Sequence, residues 1–278
     1  MLSAEQAQRY ERDGYVVLPD FKSRSEVQAA IARAHSIVDA FEPDANASVF
    51  SSVAPEKLAD AALLASAEQV HCFFEEEAFD ERGRLRQAKA LSINKIGHAL
   101  HDRDAVFDAF SRGPALAALA SQLGIAQPLL WQSMLIFKQP GIGGEVRWHQ
   151  DASFFVTTPH SVTTFWFALE DATLDNGCLW LQRGGHRRPL REQFVREGDT
   201  LRMLQLDATP WPDASSAAPL EVRAGTLVVF HGLLPHYSAA NRSPRSRLAY
   251  TLHVTDGRAA YAASNWLQRS ADFPARGF

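Results

Sequence analysis

The sequence predicts a mainly β chain with N-terminal helices, an α+β arrangement whose β part is a sandwich or barrel. Three observations predict it. Before Gly124 apolar residues recur at helical spacing behind capping signals, after it they fall into short apolar or alternating runs, and turn residues separate those runs. With 278 residues, 46% hydrophobic and 22% charged, the chain can build a large core without a disulfide or a structural metal.

Ser3 followed by Gln6 fits a capping box, so a short helix runs to about Arg12 and Gly14 ends it. Tyr15-Val-Val-Leu-Pro19 is a β-branched apolar run closed by proline and reads as a strand. Ser23 or Ser25 caps a second helix to about Phe41, with Val27, Ile31, Ala34 and Val38 on one stripe. Residues 42–70 are polar and alanine-rich, with a helix expected from Pro55 onward, and residues 71–94 hold one or two strands. Residues 104–111 and 114–123 read as helices, the second with Pro114 in its first turn. Residues 129–137, 163–169, 178–182, 220–222, 226–231 and 248–254 then read as strands, many and short. Residues 187–219 interrupt them as a long polar, proline-containing insertion of the kind that forms lids or binding loops. No linker separates a helical part, 1–125, from a β core, 126–278, so one domain spanning 1–278 is expected.

A net charge of −4 argues against a general binder of nucleic acid or anionic membrane, which needs a basic stripe. Cys72 and Cys178 are unclustered, form no zinc spacing and suggest a reducing compartment. The N-terminus lacks a basic region followed by an apolar run. No stretch approaches the roughly 18 apolar residues of a membrane span. The expectation is a cytoplasmic protein acting on a small molecule, with no nucleic-acid or membrane partner. Oligomeric state is not legible.

The chemistry-bearing segment is Arg147-Trp-His-Gln-Asp-Ala-Ser153. On an extended backbone His149 and Asp151, two apart, point to the same face and can bind one metal ion. Such a tripeptide is common by chance, so the second half matters. Eighty-seven residues after His149, in Val228-Val-Phe-His-Gly-Leu-Leu-Pro-His-Tyr-Ser238, His236 follows a strand and can return to the same mouth. Two histidines and a carboxylate make the facial triad of non-haem Fe(II) oxygenases, which leaves adjacent positions for a chelating keto acid and O2. His231 is the rival ligand at the strand end. The spacing to Ser238, Asn241 and Arg247 favours His236. Arg247, eleven residues beyond His236, suits the distal carboxylate of 2-oxoglutarate through paired charge-assisted hydrogen bonds, and Ser238 adds a hydroxyl.

The series His149-Gln-Asp151, Glu170-Asp-Ala-Thr-Leu-Asp-Asn-Gly-Cys-Leu-Trp180, His236-x-Ser238-x-x-Asn241 and Arg247 resembles the phytanoyl-CoA dioxygenase family. The resemblance extends to Asn94-Lys-Ile-Gly-His-Ala-Leu100, Gln132-Ser-Met-Leu-Ile-Phe-Lys-Gln-Pro140 and Asn265-Trp-Leu-Gln268, and so covers most of the chain. It implies a double-stranded β-helix, a jelly-roll or cupin-like barrel. It also implies an enzyme using Fe(II), 2-oxoglutarate and O2, with His149, Asp151 and His236 as metal ligands. Lys95, Met134, Trp166, Ser238 and Arg247 match positions lining the family's 2-oxoglutarate pocket. Without the resemblance Met134 and Trp166 read as core and Lys95 as a solvated lysine. Gly184-Gly-His186 departs from the family's usual Pro-Gly-Ser-His, and Pro235 before His236 is unusual.

The retained carboxylate of Asp151 argues for hydroxylation over halogenation, since a halogenase vacates that position for chloride. Desaturation or ring closure would use the same site. A zinc hydrolase on the same ligands, or a non-catalytic barrel that binds metal and a small molecule, are the alternatives. Arg183, Arg187, Arg188 and Arg191 could serve a CoA substrate at the rim or be a solvated charge run.

Overall fold

The computed structural model describes residues 2–43, 48–50 and 61–278. In chain order these form α1 (Ala4–Asp13), β1 (Tyr15–Leu18), α2 (Arg24–Ala40), α3 (Ala61–Ala65), β2 (Val70–Phe74), β3 (Ile93–His98), α4 (Leu100–Arg103), α5 (Ala105–Ser111) and α6 (Pro114–Gln122). Then follow β4 (Pro128–Lys138), β5 (Val146–His149), β6 (Thr157–Thr158), β7 (Thr163–Ala168), β8 (Leu179–Leu181), β9 (Glu192–Glu197) and β10 (Thr200–Gln205). The last are β11 (Ala218–Leu220), β12 (Leu227–His231), β13 (His236–Ser238), β14 (Arg247–Asp256) and β15 (Ala260–Tyr261). The start of the helix expected from Pro55 lies outside the described residues.

Two antiparallel sheets face one another as a double-stranded β-helix. The larger has the order β1-β12-β7-β14-β4-β3-β2, and the smaller β11-β8-β13-β5. The two faces of the larger sheet do different work because successive side chains alternate. On β14, Leu248, Tyr250, Leu252 and Val254 join the core that α2, α5 and α6 cover with Val27, Ala34, Phe107, Phe110 and Leu119. Phe107 stacks on Tyr250 at 5.0 Å, and the Tyr250 hydroxyl meets the Ser111 hydroxyl at 2.7 Å. The intervening residues face the smaller sheet in registered rows. Gln132, His253, Thr164 and Phe230 form one row, and Met134, Thr251, Trp166 and Val228 the next. Both faces of β14 are therefore buried, one against apolar helices and one against a polar interior.

The expected division into a helical 1–125 and a β 126–278 is not clean. The first part supplies both edges of the larger sheet, β1 against β12 and β3 with β2 against β4. The insertion expected at 187–219 contains regular structure. It holds the hairpin β9–β10 in full register from Thr200↔Glu197 to Gln205↔Glu192, and β11 follows. The charges at 192, 196, 197 and 202 break up the hairpin's apolar pattern, although Phe194 and Leu201 are buried. β5, β6, β13 and β15 are too short, at two to four residues, to show a period. Among the described residues no helix is long and apolar enough to cross a membrane.

The capping box expected at Ser3 with Gln6 forms, and of Ser23 and Ser25 it is Ser23 that caps α2, in a box with Glu26. Gly14 closes α1 in the left-handed region at φ 85°. A Cβ there would lie 2.4 Å from His186 Nδ1. The turn at Gly184 explains the crowding: Gly184 N–H donates to Asp13 O at 2.8 Å, and His186 Nε2–H donates to Glu11 O at 3.2 Å. The departure Gly184-Gly-His186 thus docks α1 onto the barrel. Gly14→Ala combines left-handed strain with overpacking, for a loss of about 3 kcal/mol. Urea unfolding measures it; a loss below about 1 kcal/mol contradicts the close contact.

Candidate metal centre

His149 ends β5 and His236 begins β13, and the two are direct partners across that strand pair. Their ring centroids lie 4.0 Å apart. Asp151 opens a short 3-10 turn, Asp151–Ser153, after the extended Gln150 (φ −121°, ψ 131°). The His149 and Asp151 side chains therefore converge, as two-residue spacing predicts. Gln150 pins the tripeptide. Its Nε2 donates to Leu233 O at 2.8 Å and Pro189 O at 3.2 Å, and its Oε1 accepts from Arg191 N–H at 2.9 Å.

Backbone carbonyls set the tautomers. His149 Nδ1 lies 2.8 Å from Arg147 O, and His236 Nδ1 lies 3.0 Å from Leu234 O. A carbonyl only accepts, so each Nδ1 carries the proton and each neutral ring keeps its lone pair on Nε2. Those Nε2 atoms face Asp151 Oδ1 at 3.4 and 3.6 Å. One ligand atom from each of the three residues lies within 4.8 Å of the other two. Asp151 Oδ2 accepts the Thr164 hydroxyl and lies 3.5 Å from His253 Nε2. Burial, reinforced by His149, pushes His236 down to about 4, so its ring is uncharged near neutrality. Burial works against the charge of Asp151, while the pull of His236 and His253 in their protonated forms holds the carboxyl well below the usual carboxylate range. Two bare imidazole nitrogens and a carboxylate oxygen thus crowd together, an arrangement that a cation relieves. The donor set of two nitrogens and one oxygen fits non-haem Fe(II).

A cavity of about 60 Å³ runs from this cluster to Arg247. Arg247 is 2% exposed. Its Nε donates to Gly177 O and its Nη2 to Ser238 Oγ, both at 3.2 Å, while Nη1 has no partner among the described residues. Burial lowers Arg247 to about 10, which leaves it charged at neutral pH. A buried charged donor left unpaired costs on the order of 1–3 kcal/mol or more, so the site calls for an anion. Ser238 Oγ also donates to Gly177 O at 2.9 Å, and the Trp166 ring centroid lies 5.7 Å from the guanidinium carbon. Met134, Trp166, Ser238 and Arg247 all line this cavity. Lys95 does not. It lines a larger cavity of about 390 Å³ that shares Met134, His149 and Asp151. Its ammonium sits over Phe50, 2.9 Å from the ring centroid, and burial lowers it to about 7 against the opposing pull of Glu75.

His231 stands apart from the cluster. Its Nδ1 accepts from Leu233 N–H at 3.0 Å, and its ring lies 5.4 Å from that of His186. The four rim arginines are elsewhere too. Arg183 faces Asp13, Arg187 donates to Glu11 O, and Arg191 lies over Trp211; neither cavity is lined by any of the four. Thr164, His253 and Gln150 escaped the sequence reading. The available signal was polar residues two apart within apolar strands, such as Thr251 and His253.

A family model described as phytanoyl-CoA dioxygenase (PhyH) matches residues 10–249. "Phytanoyl-CoA dioxygenase 1" of Oryza sativa subsp. japonica is 46% identical over 269 residues, covering 96% of this chain and 94% of the relative. "Phytanoyl-CoA dioxygenase domain-containing protein 1" of Bos taurus is 39% identical, covering 98% and 97%. Among solved structures, the non-haem α-ketoglutarate-dependent carbocyclase SnoK of nogalamycin biosynthesis aligns with a TM-score of 0.66 at 20% identity, over 99% of this chain and 96% of that one. The epimerase SnoN, solved with Fe3+, α-ketoglutarate and nogalamycin RO, aligns at 0.64 and 18%, over 99% and 94%. At such identities the likeness is one of fold.

Two measurements test this site. Thr164→Val removes the hydroxyl that orients Asp151 and weakens Co(II) or anaerobic Fe(II) binding about 10–100-fold; affinity within twofold of the parent contradicts that role. His231 stays uncharged in the fold down to about pH 4, held there by burial. An unfolded chain protonates it near the ordinary ~6.5. The unfolded state thus binds more protons in that window, and stability present above about pH 6.5 is lost as pH falls toward 4. In His231→Gln the fall in unfolding free energy between about pH 6.5 and 4.5 shrinks by about 2 kcal/mol; an unchanged pH profile contradicts the assignment.

Proposed function

This chain belongs to the phytanoyl-CoA dioxygenase (PhyH) family, and from that premise we propose that it hydroxylates a small molecule as one catalytic domain. It is a non-haem iron dioxygenase that uses 2-oxoglutarate. In our reading His149 and His236 hold Fe(II) through Nε2, and Asp151 holds it through its carboxylate. When bound, the iron with O2 and 2-oxoglutarate supplies the oxidation: the keto acid leaves as succinate and CO2, and one oxygen atom enters a substrate C–H bond.

The protein's own groups bind, orient and exclude water. Backbone carbonyls 147 and 234 fix the two imidazoles, and Thr164 fixes the carboxylate. Arg247 pairs with the distal carboxylate of 2-oxoglutarate, and Ser238 adds a polar contact beside it. Met134 and Trp166 wall the co-substrate, and Lys95 meets it from the larger cavity. The buried guanidinium of Arg247, at the far end of a cavity that begins at Asp151 and with no partner for its Nη1 among the described residues, carries this reading. A zinc hydrolase has no use for that cation.

The test is anaerobic loading with Fe(II), addition of 2-oxoglutarate, then admission of O2 with succinate measured. The parent shows a visible charge-transfer band and releases succinate. Asp151→Ala loses both, and Arg247→Lys raises the KM for 2-oxoglutarate about tenfold or more because lysine cannot form the paired contact. Succinate release unchanged in Asp151→Ala, or absent from the iron-loaded parent, overturns the function.

A further inference from the structure

The backbone of Asp151 leaves β5 in a short turn. That settles where the carboxylate sits but not how it is rotated. The last torsion of an aspartate is broad and nearly two-fold, so nothing intrinsic decides which oxygen faces the imidazoles. Asp151 is 4% exposed, so bulk water does not decide it either. A buried carboxylate needs protein donors for the lone pairs that no metal takes.

Two such donors stand side by side on the larger sheet. Thr164 on β7 and His253 on β14 are cross-strand partners. Both reach the same atom, Asp151 Oδ2: Thr164 donates its hydroxyl, and His253 Nε2 lies 3.5 Å away. A carboxylate only accepts, so His253 presents an Nε2–H there. The distance is at the long limit of a hydrogen bond, and contacts of this kind tighten when a site fills. Phe155 stacks on the His253 ring at 4.9 Å and 22°, which holds its plane. The other oxygen, Oδ1, faces Nε2 of His149 and Nε2 of His236. The two oxygens of one carboxylate thus have opposite neighbours, donors at Oδ2 and bare nitrogens at Oδ1. His253 also lines both cavities, so it stands where the co-substrate chamber meets the larger one.

We propose that His253 is a positioning residue: with Thr164 it holds Asp151 Oδ2, so that Oδ1 alone meets the metal. A single metal–oxygen contact leaves the adjacent positions for the keto acid and O2. His253 is not itself a ligand, because its Nε2 keeps its proton. The assignment rests on the dioxygenase reading above.

Co(II) binding to the full chain, followed by its visible ligand-field bands, tests it. His253→Phe keeps a ring against Phe155 and removes the donor. It weakens Co(II) about tenfold or more and changes the bands. The terminal amide nitrogen of glutamine can take the place of Nε2, so His253→Gln restores the bands and brings the affinity back to within about threefold of the parent. Restoration by a donor of different shape is what a merely structural role does not give. Parent-like affinity and bands in folded His253→Phe overturn the assignment, and so does a His253→Gln no better than His253→Phe. Nitrogen-15 NMR of the parent decides even if neither variant folds: His253 Nε2 carries its proton before and after Zn(II) is added. An Nε2 without its proton in either state overturns the assignment. A parent that binds Co(II) but then takes up no 2-oxoglutarate overturns the dioxygenase reading, and the assignment with it. An unchanged His253→Phe in a protein that does bind 2-oxoglutarate overturns the positioning role alone.

Discussion

The pairing of β5 with β13 sets two imidazoles side by side, tilted 52° to one another, and two backbone carbonyls remove every choice of tautomer. Arg147 O and Leu234 O each take an Nδ1 proton, so the Nε2 lone pairs must point inward at the carboxylate of Asp151. Such an arrangement is unfavourable by itself, because three electron-rich atoms share a small space with no proton between them. The surrounding structure holds it in place. Gln150 ties the His149–Asp151 tripeptide to Leu233 and Pro189, and Thr164 holds the outer carboxylate oxygen. The geometry is prepared before a cation arrives, as preorganised sites require.

The same logic explains the larger sheet. Its helix-facing residues contribute ordinary apolar burial, about 1.5–3 kcal/mol for each large side chain. Its inward residues spend part of that stability on polar groups. Arg247 lies beside Lys138 in the β14–β4 register, and both cations are buried. Lys138 Nζ satisfies itself on Gly144 O, Ser238 O and Ala239 O. That contact ties β13, and so His236, to the loop after β4. Arg247 is left with an Nη1 that has no partner among the described residues. Of two adjacent buried cations, one is structural and the other awaits a ligand, and their partners distinguish them.

Much of this was legible in sequence, for physical reasons. Capping boxes are local, so α1 and α2 were found with their ends. Long strands carry their period, so β4, β7, β12 and β14 were found too. His149, Asp151, His236 and Arg247 announced themselves by spacing, since strand geometry converts two-residue spacing into a shared face. What depends on tertiary contact was not legible. The hairpin β9–β10 hides among charges, and the N-terminal strands join both edges of a sheet whose centre lies more than a hundred residues away. His231 and His236 differ in the loop between them, which turns one ring toward His186 and the other toward Asp151. Lys95 was grouped with the co-substrate residues, yet its side chain opens on the larger cavity.

The central claim is that the site holds two bare Nε2 atoms against an ionised carboxylate before metal binds. Nitrogen-15 NMR of the histidine rings in metal-free protein tests it most directly. The account predicts that His149 and His236 both show the Nδ1–H tautomer, and that their Nε2 resonances alone among the ring nitrogens shift strongly when Zn(II) is added. An Nε2–H tautomer at either residue, or Nε2 resonances that ignore the metal, would contradict it.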